Sequence, residues 1–178
     1  MKKLLMLLVI IVAVGIVGYT LTTKWRGNDN RDYENTKYGY SLQYPENWNM
    51  RGSAQSDILQ FFTSENPPGD GGVPAGILME VMVLENYDSL GLDEWVNQLN
   101  ERGPEVEIVS SNDIRIGGIR AIRQAVAVAP DFDLEGLPIG VYFAKDNNIF
   151  LMHYLGSEPD YTDNLGGFET VLSSFSFN

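Results

Sequence analysis

Asp131-Phe132-Asp133-Leu134-Glu135-Gly136 is the run of this chain that comes closest to a ligand set. Its carboxylates alternate and Gly136 stands at the sixth place, which imitates the opening of a Ca²⁺ loop. Calcium takes 6–8 hard oxygen ligands, and Asp131, Asp133 and Glu135 offer three side chains from one turn. The twelfth place of such a loop calls for a bidentate Glu, and here it is Tyr142, so the full helix–loop–helix pattern fails. A solvated acidic loop between strands accounts for the same residues. His153, the one histidine, lies between Met152 and Tyr154 in an apolar stretch, with Ser157 and Asp160 nearby in sequence. No Gly-x-Ser-x-Gly elbow accompanies it, so a divergent hydrolase is the weakest of the readings considered. Pro67-Pro68-Gly69-Asp70-Gly71-Gly72 is Gly-rich, but an apolar strand follows it and no Lys is present. It is read as a loop, not a phosphate cradle. Asp93 and Glu94 open a helix, where carboxylates favour the dipole. No catalytic residue and no cofactor site is assigned; Ca²⁺ at Asp131, Asp133 and Glu135 is the one metal considered.

Composition narrows the chemistry further. The 178 residues contain no Cys, which removes disulfides, thiol nucleophiles, thiolate metal sites and a lipid-modified cysteine. A single His removes any multi-histidine metal centre. The 12 basic and 24 acidic residues give a net charge of −12. Four of the basic ones, Lys2, Lys3, Lys24 and Arg26, flank the N-terminal apolar run, so the remainder carries 8 − 24 = −16. That balance excludes nucleic-acid binding through a basic footprint and disfavours adhesion to anionic lipid.

Residues 1–26 read as an address. Leu4 to Thr23 are 20 uncharged residues, enough at about 1.5 Å each to cross the roughly 30 Å hydrocarbon core. The run exceeds the usual signal-peptide core and lacks a well-placed small-residue cleavage site. An uncleaved signal anchor is therefore preferred, with a cleaved signal peptide as the alternative. Either places residues 27–178 outside the cytoplasm: single-pass and membrane-held in the first case, secreted or periplasmic in the second. Residues 27–36 read as a polar tether, and 37–178 as one domain.

Within that domain the elements follow from hydrophobic period. Tyr40, Leu42 and Tyr44 alternate with polar residues in a strand stopped by Pro45; Ile58–Phe62 and Ile77–Leu84 are further strands. Leu92, Trp95, Val96 and Leu99 form one helical face, with Gly91 as N-cap and Gly103-Pro104 as the stop. Residues 107–116 and 119–128 form a hairpin through Gly117-Gly118, and 139–145 and 149–155 another across 146–148. Tyr161, Leu165, Phe168, Val171, Leu172 and Phe175 share a final helical face, interrupted by Gly166 and Gly167. The expectation is an α+β fold: a mainly antiparallel sheet with two packed helices, preceded by one transmembrane or signal helix.

Two end motifs sharpen this. Tyr38-Gly39-Tyr40-Ser41-Leu42-Gln43-Tyr44-Pro45-Glu46-Asn47-Trp48 and Phe168 through Val171-Leu172-Ser173-Ser174-Phe175-Ser176-Phe177 resemble the first strand and the terminal helix of the PsbP-like family. Leu92-Asp93-Glu94-Trp95 and Ile116-Gly117-Gly118 fall where that family has a helix start and a hairpin. The resemblance covers roughly residues 33–178. It implies an α/β/α sandwich and a non-enzymatic accessory role exercised through a protein partner, here in an envelope complex. Tyr40, Tyr44, Pro45, Trp48, Trp95, Gly117, Gly118, Phe168, Phe175 and Phe177 are its structural signature, with no binding residue to transfer.

Overall fold

Strands of alternating apolar side chains build a seven-stranded antiparallel sheet. The computed structural model describes residues 29–64, 76–102, 107–127 and 137–178. Its strands are β1 (Asn30–Asn35), β2 (Tyr40–Pro45), β3 (Asn49–Arg51), β4 (Ile58–Phe62), β5 (Ile77–Glu85), β6 (Glu107–Ile116), β7 (Ile119–Ala127), β8 (Ile139–Lys145), β9 (Asn148–Gly156) and β10 (Ser176–Phe177). Helix α1 (Leu92–Arg102) lies between β5 and β6, and α2 (Asp160–Ser174) between β9 and β10. The large sheet runs β3-β4-β5-β9-β8-β7-β6, and a small sheet runs β1-β2-β10. Every pairing is antiparallel.

The two faces of the large sheet have different cover. On one face Leu59, Phe61, Met79, Val81, Val141, Phe143, Phe150, Met152 and Tyr154 are buried in a single core with Tyr40, Leu42, Tyr44 and Trp48 of the small-sheet side and Phe168, Val171 and Leu172 of α2. On the other face α1 lays Val96, Leu92, Trp95 and Leu99 against Ile122, Tyr142, Leu151 and Met82. The α+β expectation holds.

The expected tether is corrected by the structure. Asn30–Asn35 is a strand, paired with β2 from Asn30↔Pro45 to Asn35↔Tyr40. Only Tyr33 and Asn35 of its six residues are buried, so the strand is edge-like and polar. Asn35 is satisfied by donating to Ser56 O (2.9 Å) and Tyr33 Oη (3.2 Å), while its Oδ1 accepts from the N–H groups of Lys37 and Tyr38, each at 3.0 Å. The short strands β3 and β10 are likewise additions to the expected order.

The final helix is also corrected: α2 is unbroken through Gly166 and Gly167. Gly167 faces Trp48, and a Cβ there would stand 2.5 Å from the indole Cζ2 and 2.8 Å from Pro45 Cγ. Phe175 is not on the helix but is its extended C-cap. Among the described residues no helix is long and apolar enough to cross a membrane. The run from Leu4 to Thr23 lies outside the described residues.

Candidate functional site

The ten signature residues sort into packing roles. Trp48 is buried and donates from Nε1 to Asn164 Oδ1 at 3.0 Å, tying the turn after β2 to α2. Pro45 is buried beside it. Tyr44 packs on Phe61 with ring centroids 4.7 Å apart. Tyr40 stacks on Phe175 at 5.0 Å, and Phe168 on Tyr154 at 4.9 Å. Phe177 sets its edge against Phe150 at 5.2 Å, which holds β10 to the sheet. Gly117 and Gly118 have φ of 55° and 80°, the left-handed pair that a two-residue hairpin needs. Trp95 rests on Tyr142, at 6.3 Å between centroids. Asp93, at the start of α1, receives both nitrogens of Arg120, at 2.8 and 2.9 Å, so it is engaged structurally. Asp131, Asp133 and Glu135 lie outside the described residues, as does the Gly-rich run 67–72. Among the described residues no three His, Asp or Glu side chains gather in a metal-holding group.

A different constellation appears on the α1 face of the large sheet. Cross-strand partners share a face, so the register defines rows of side chains. The row under α1 is apolar: Met82, Leu151, Tyr142 and Ile122. The next row, two residues along each strand, is polar. It runs Arg51–Gln60–Glu80–His153–Gly140–Gln124–Ser111 and crosses all seven strands. Beyond it Phe62, Leu78 and Leu155 align again as apolar partners. A polar stripe thus lies between two apolar ones.

The stripe's two ends are internally bonded. Arg51 Nη1 reaches Gln60 Oε1 at 3.4 Å, and Gln60 Nε2 donates to Glu80 Oε1 at 2.6 Å. At the far end Gln124 Nε2 donates to Ser111 Oγ at a long 3.5 Å. Between these bonded pairs, one acceptor is left over. Gln124 is only 4% exposed, and its Oε1 has no hydrogen-bond partner. A buried acceptor left in that state costs about 1–3 kcal/mol. Tyr142 folds back so that its Oη lies over Gly140, where a Cβ would stand 2.2 Å away. Gly140 is therefore the residue that lets the phenol occupy the middle of the row. His153 stands edge-on to that ring at 6.3 Å. Burial lowers its imidazole pKa, with the Glu80 charge opposing, so the ring is held towards its neutral form. Burial also raises the Tyr142 phenol.

Sequence reasoning found His153 but not its companions. Residues 80, 124, 142 and 153 meet only through strand register, and a lone Gln in a strand carries no local signal.

The arrangement of a β-sheet carrying one helix on one face, and one helix with a small sheet on the other, defines a PsbP-like fold. The solution structure of cyanobacterial PsbP (CyanoP) from Synechocystis sp. PCC 6803 matches 87% of this chain and 96% of its own, at 15% identity and a TM-score of 0.55. The crystal structure of the Saccharomyces cerevisiae Ran-binding protein Mog1p matches 83% of this chain and 95% of its own, at 12% identity and a TM-score of 0.56. No protein-family profile and no curated protein sequence matches the chain.

Proposed function

We propose that this chain is a non-enzymatic binding or accessory domain, held to a membrane by Leu4–Thr23 and displayed on the extracytoplasmic side. Its work is to bind a protein partner within an envelope complex. The observation that carries this reading is the fold shared along most of the chain with PsbP and with Mog1p, the latter named for binding another protein, Ran. The apolar leader and the net −16 beyond it support membrane attachment and a partner with a basic face.

The absence of Cys makes the test clean. Tyr87, 81% exposed, is replaced by Cys in the full chain and labelled in intact cells with a membrane-impermeant maleimide. The same cells are cross-linked and the tagged protein recovered from its membranes. Labelling of intact cells, with one stoichiometric cross-linked partner that dissociates as salt rises, is the expected result. Labelling only after lysis overturns the orientation, and recovery of the chain alone overturns the accessory role.

A further inference from the structure

We infer that the cavity between α1 and the loop before it, floored by Trp95 and edged by Glu85 and Asp88, receives an arginine side chain of the protein partner. This rests on the accessory reading proposed above and names the group that the partner brings. The cavity measures about 200 Å³ and opens to solvent. Trp95, Leu90 and Leu99 supply its apolar walls, and Glu85, Asp88 and Gln98 its polar ones. The Trp95 ring rests on Tyr142 and is half-buried, so part of the indole stays open. Asp88 makes no hydrogen bond or ion pair with any described residue. No described Lys or Arg lines the cavity. Arg120 is engaged with Asp93 and Asp113, and Lys145 with Asp146, so the chain's own cations are held elsewhere.

The loop that forms the cavity is set before any guest arrives. Asn86, 8% exposed, donates from Nδ2 to Leu90 O at 2.9 Å and accepts from the Leu90 N–H at 3.0 Å, and its own N–H donates to Asn147 O at 2.9 Å. Little ordering is left to lose on binding. The lining then selects the guest. Two carboxylates repel an anion, and an uncharged apolar guest would strip water from Glu85 and Asp88 without replacing it. A lysine ammonium is a compact, strongly hydrated charge whose water an indole and two leucines do not replace. A guanidinium is planar and weakly hydrated; it stacks on an indole while its N–H groups fork onto a carboxylate. Position favours a partner. Asn30 pairs with Pro45 at one end of β2, whereas Tyr40 at the other end pairs with Phe177. Lys145 lies over the Phe177 ring, and Lys145, Asn148 and Glu85 align across β8, β9 and β5. A chain tethered ahead of Asn30 thus presents the cavity at its far end. Tyr87 is 81% exposed at the rim, so a thiol in its place leaves the indole and both carboxylates standing.

The test titrates the full chain in detergent with capped glycine–X–glycine peptides in which X is arginine, lysine or citrulline, the last an uncharged isostere of arginine. The indole N–H NMR signal of Trp95, assigned by its loss in Trp95→Phe, is followed. A saturable shift with millimolar arginine peptide, clearly weaker with lysine and absent with citrulline, is expected. Asp88→Asn keeps the shape and is expected to weaken the arginine peptide about threefold or more, with no change in melting temperature, since Asp88 makes no bond to the described residues. Asp163→Asn removes the same charge from α2, on the opposite face of the sheet, and should leave binding unchanged. It separates the site from diffuse attraction to an acidic chain. Cross-linking in intact cells is repeated with Asp88→Asn, which should lose most of the partner that the parent chain gives. Equal binding of the lysine or citrulline peptide, no saturable shift with arginine, or a partner recovered undiminished with Asp88→Asn overturns the cavity's role and leaves the accessory reading standing. A parent chain that binds the arginine peptide yet yields no partner overturns the accessory reading, and the occupant named here with it.

Discussion

Gly166 and Gly167 are chemically identical neighbours in α2, and they are expected to respond to alanine in opposite directions. In a helix interior Gly→Ala gains about 1 kcal/mol from backbone propensity. Gly166 is exposed, so Gly166→Ala collects that gain in full. Gly167 is buried, and the added methyl meets Trp48 Cζ2 at 2.5 Å, Pro45 Cγ at 2.8 Å and Trp48 Cε2 at 3.1 Å. The indole cannot swing away freely, because its Nε1 is bonded to Asn164 and its far side packs on Phe61. Overpacking of this kind costs about 1–3 kcal/mol, which cancels or exceeds the propensity gain. The two variants should therefore differ by about 1–3 kcal/mol, with Gly167→Ala the less stable. Urea titration of the full chain, followed by circular dichroism and tryptophan fluorescence, gives both values. Thermal melts should place Gly166→Ala about 2–4 °C above the parent, the shift expected for 1 kcal/mol in a domain of this size. If Gly167→Ala stabilises as much as Gly166→Ala, the glycine is not there for Trp48, and the close packing of α2 on the β2 turn is refuted.

Other expectations follow from single contacts. Trp48→Phe removes the donor to Asn164 and part of a fully buried ring, and should cost about 2–4 kcal/mol in urea unfolding; a loss under about 1 kcal/mol would show that this bond is dispensable. Tyr40 Oη is buried with no hydrogen-bond partner, so Tyr40→Phe should hold or raise the unfolding midpoint, and a clear fall would reveal a partner for that hydroxyl. His153 has its pKa lowered by burial from the ordinary 6.5. The unfolded chain then binds the proton more readily, so stability is full above about pH 6.5 and is lost as pH falls through the lower folded-state value. Replacing His153 with Gln should flatten that part of the stability–pH curve, and an unchanged slope would assign it to carboxylates instead.

Elements with a strong period were legible because the core demands it. Tyr40, Leu42 and Tyr44 on β2, or Leu92, Trp95, Val96 and Leu99 on α1, announce one buried face each. Strand β1 was not, because Asn30-Arg31-Asp32-Tyr33-Glu34-Asn35 buries only two side chains, and one of these is a polar Asn whose bonds to Ser56 and the 37–38 backbone exist only after folding. Strands β3 and β10, of three and two residues, are too short to show any period. Gly166-Gly167 read as a helix break because local propensity was weighed without the indole that fills the space beside Gly167. The polar stripe was hidden for a further reason: its members are ordinary strand residues up to 102 positions apart, from Arg51 to His153, and register alone aligns them.

Strand β2 pairs on one side with β1, the first strand of the fold, and on the other with β10, the last. Ser41 Oγ lies 3.0 Å from Ser176 Oγ across 135 positions, and the N–H of Asn178 donates to Gly39 O at 2.9 Å. The small sheet therefore joins residues 135 positions apart, and such distant pairings form late and slowly. Without Ser176 and Phe177, β2 is left with a bare edge and Phe150 loses the ring set against it. Closure of this core is tied to β10, so removal of Ser176 to Asn178 should be sensed as an open core beside Phe150.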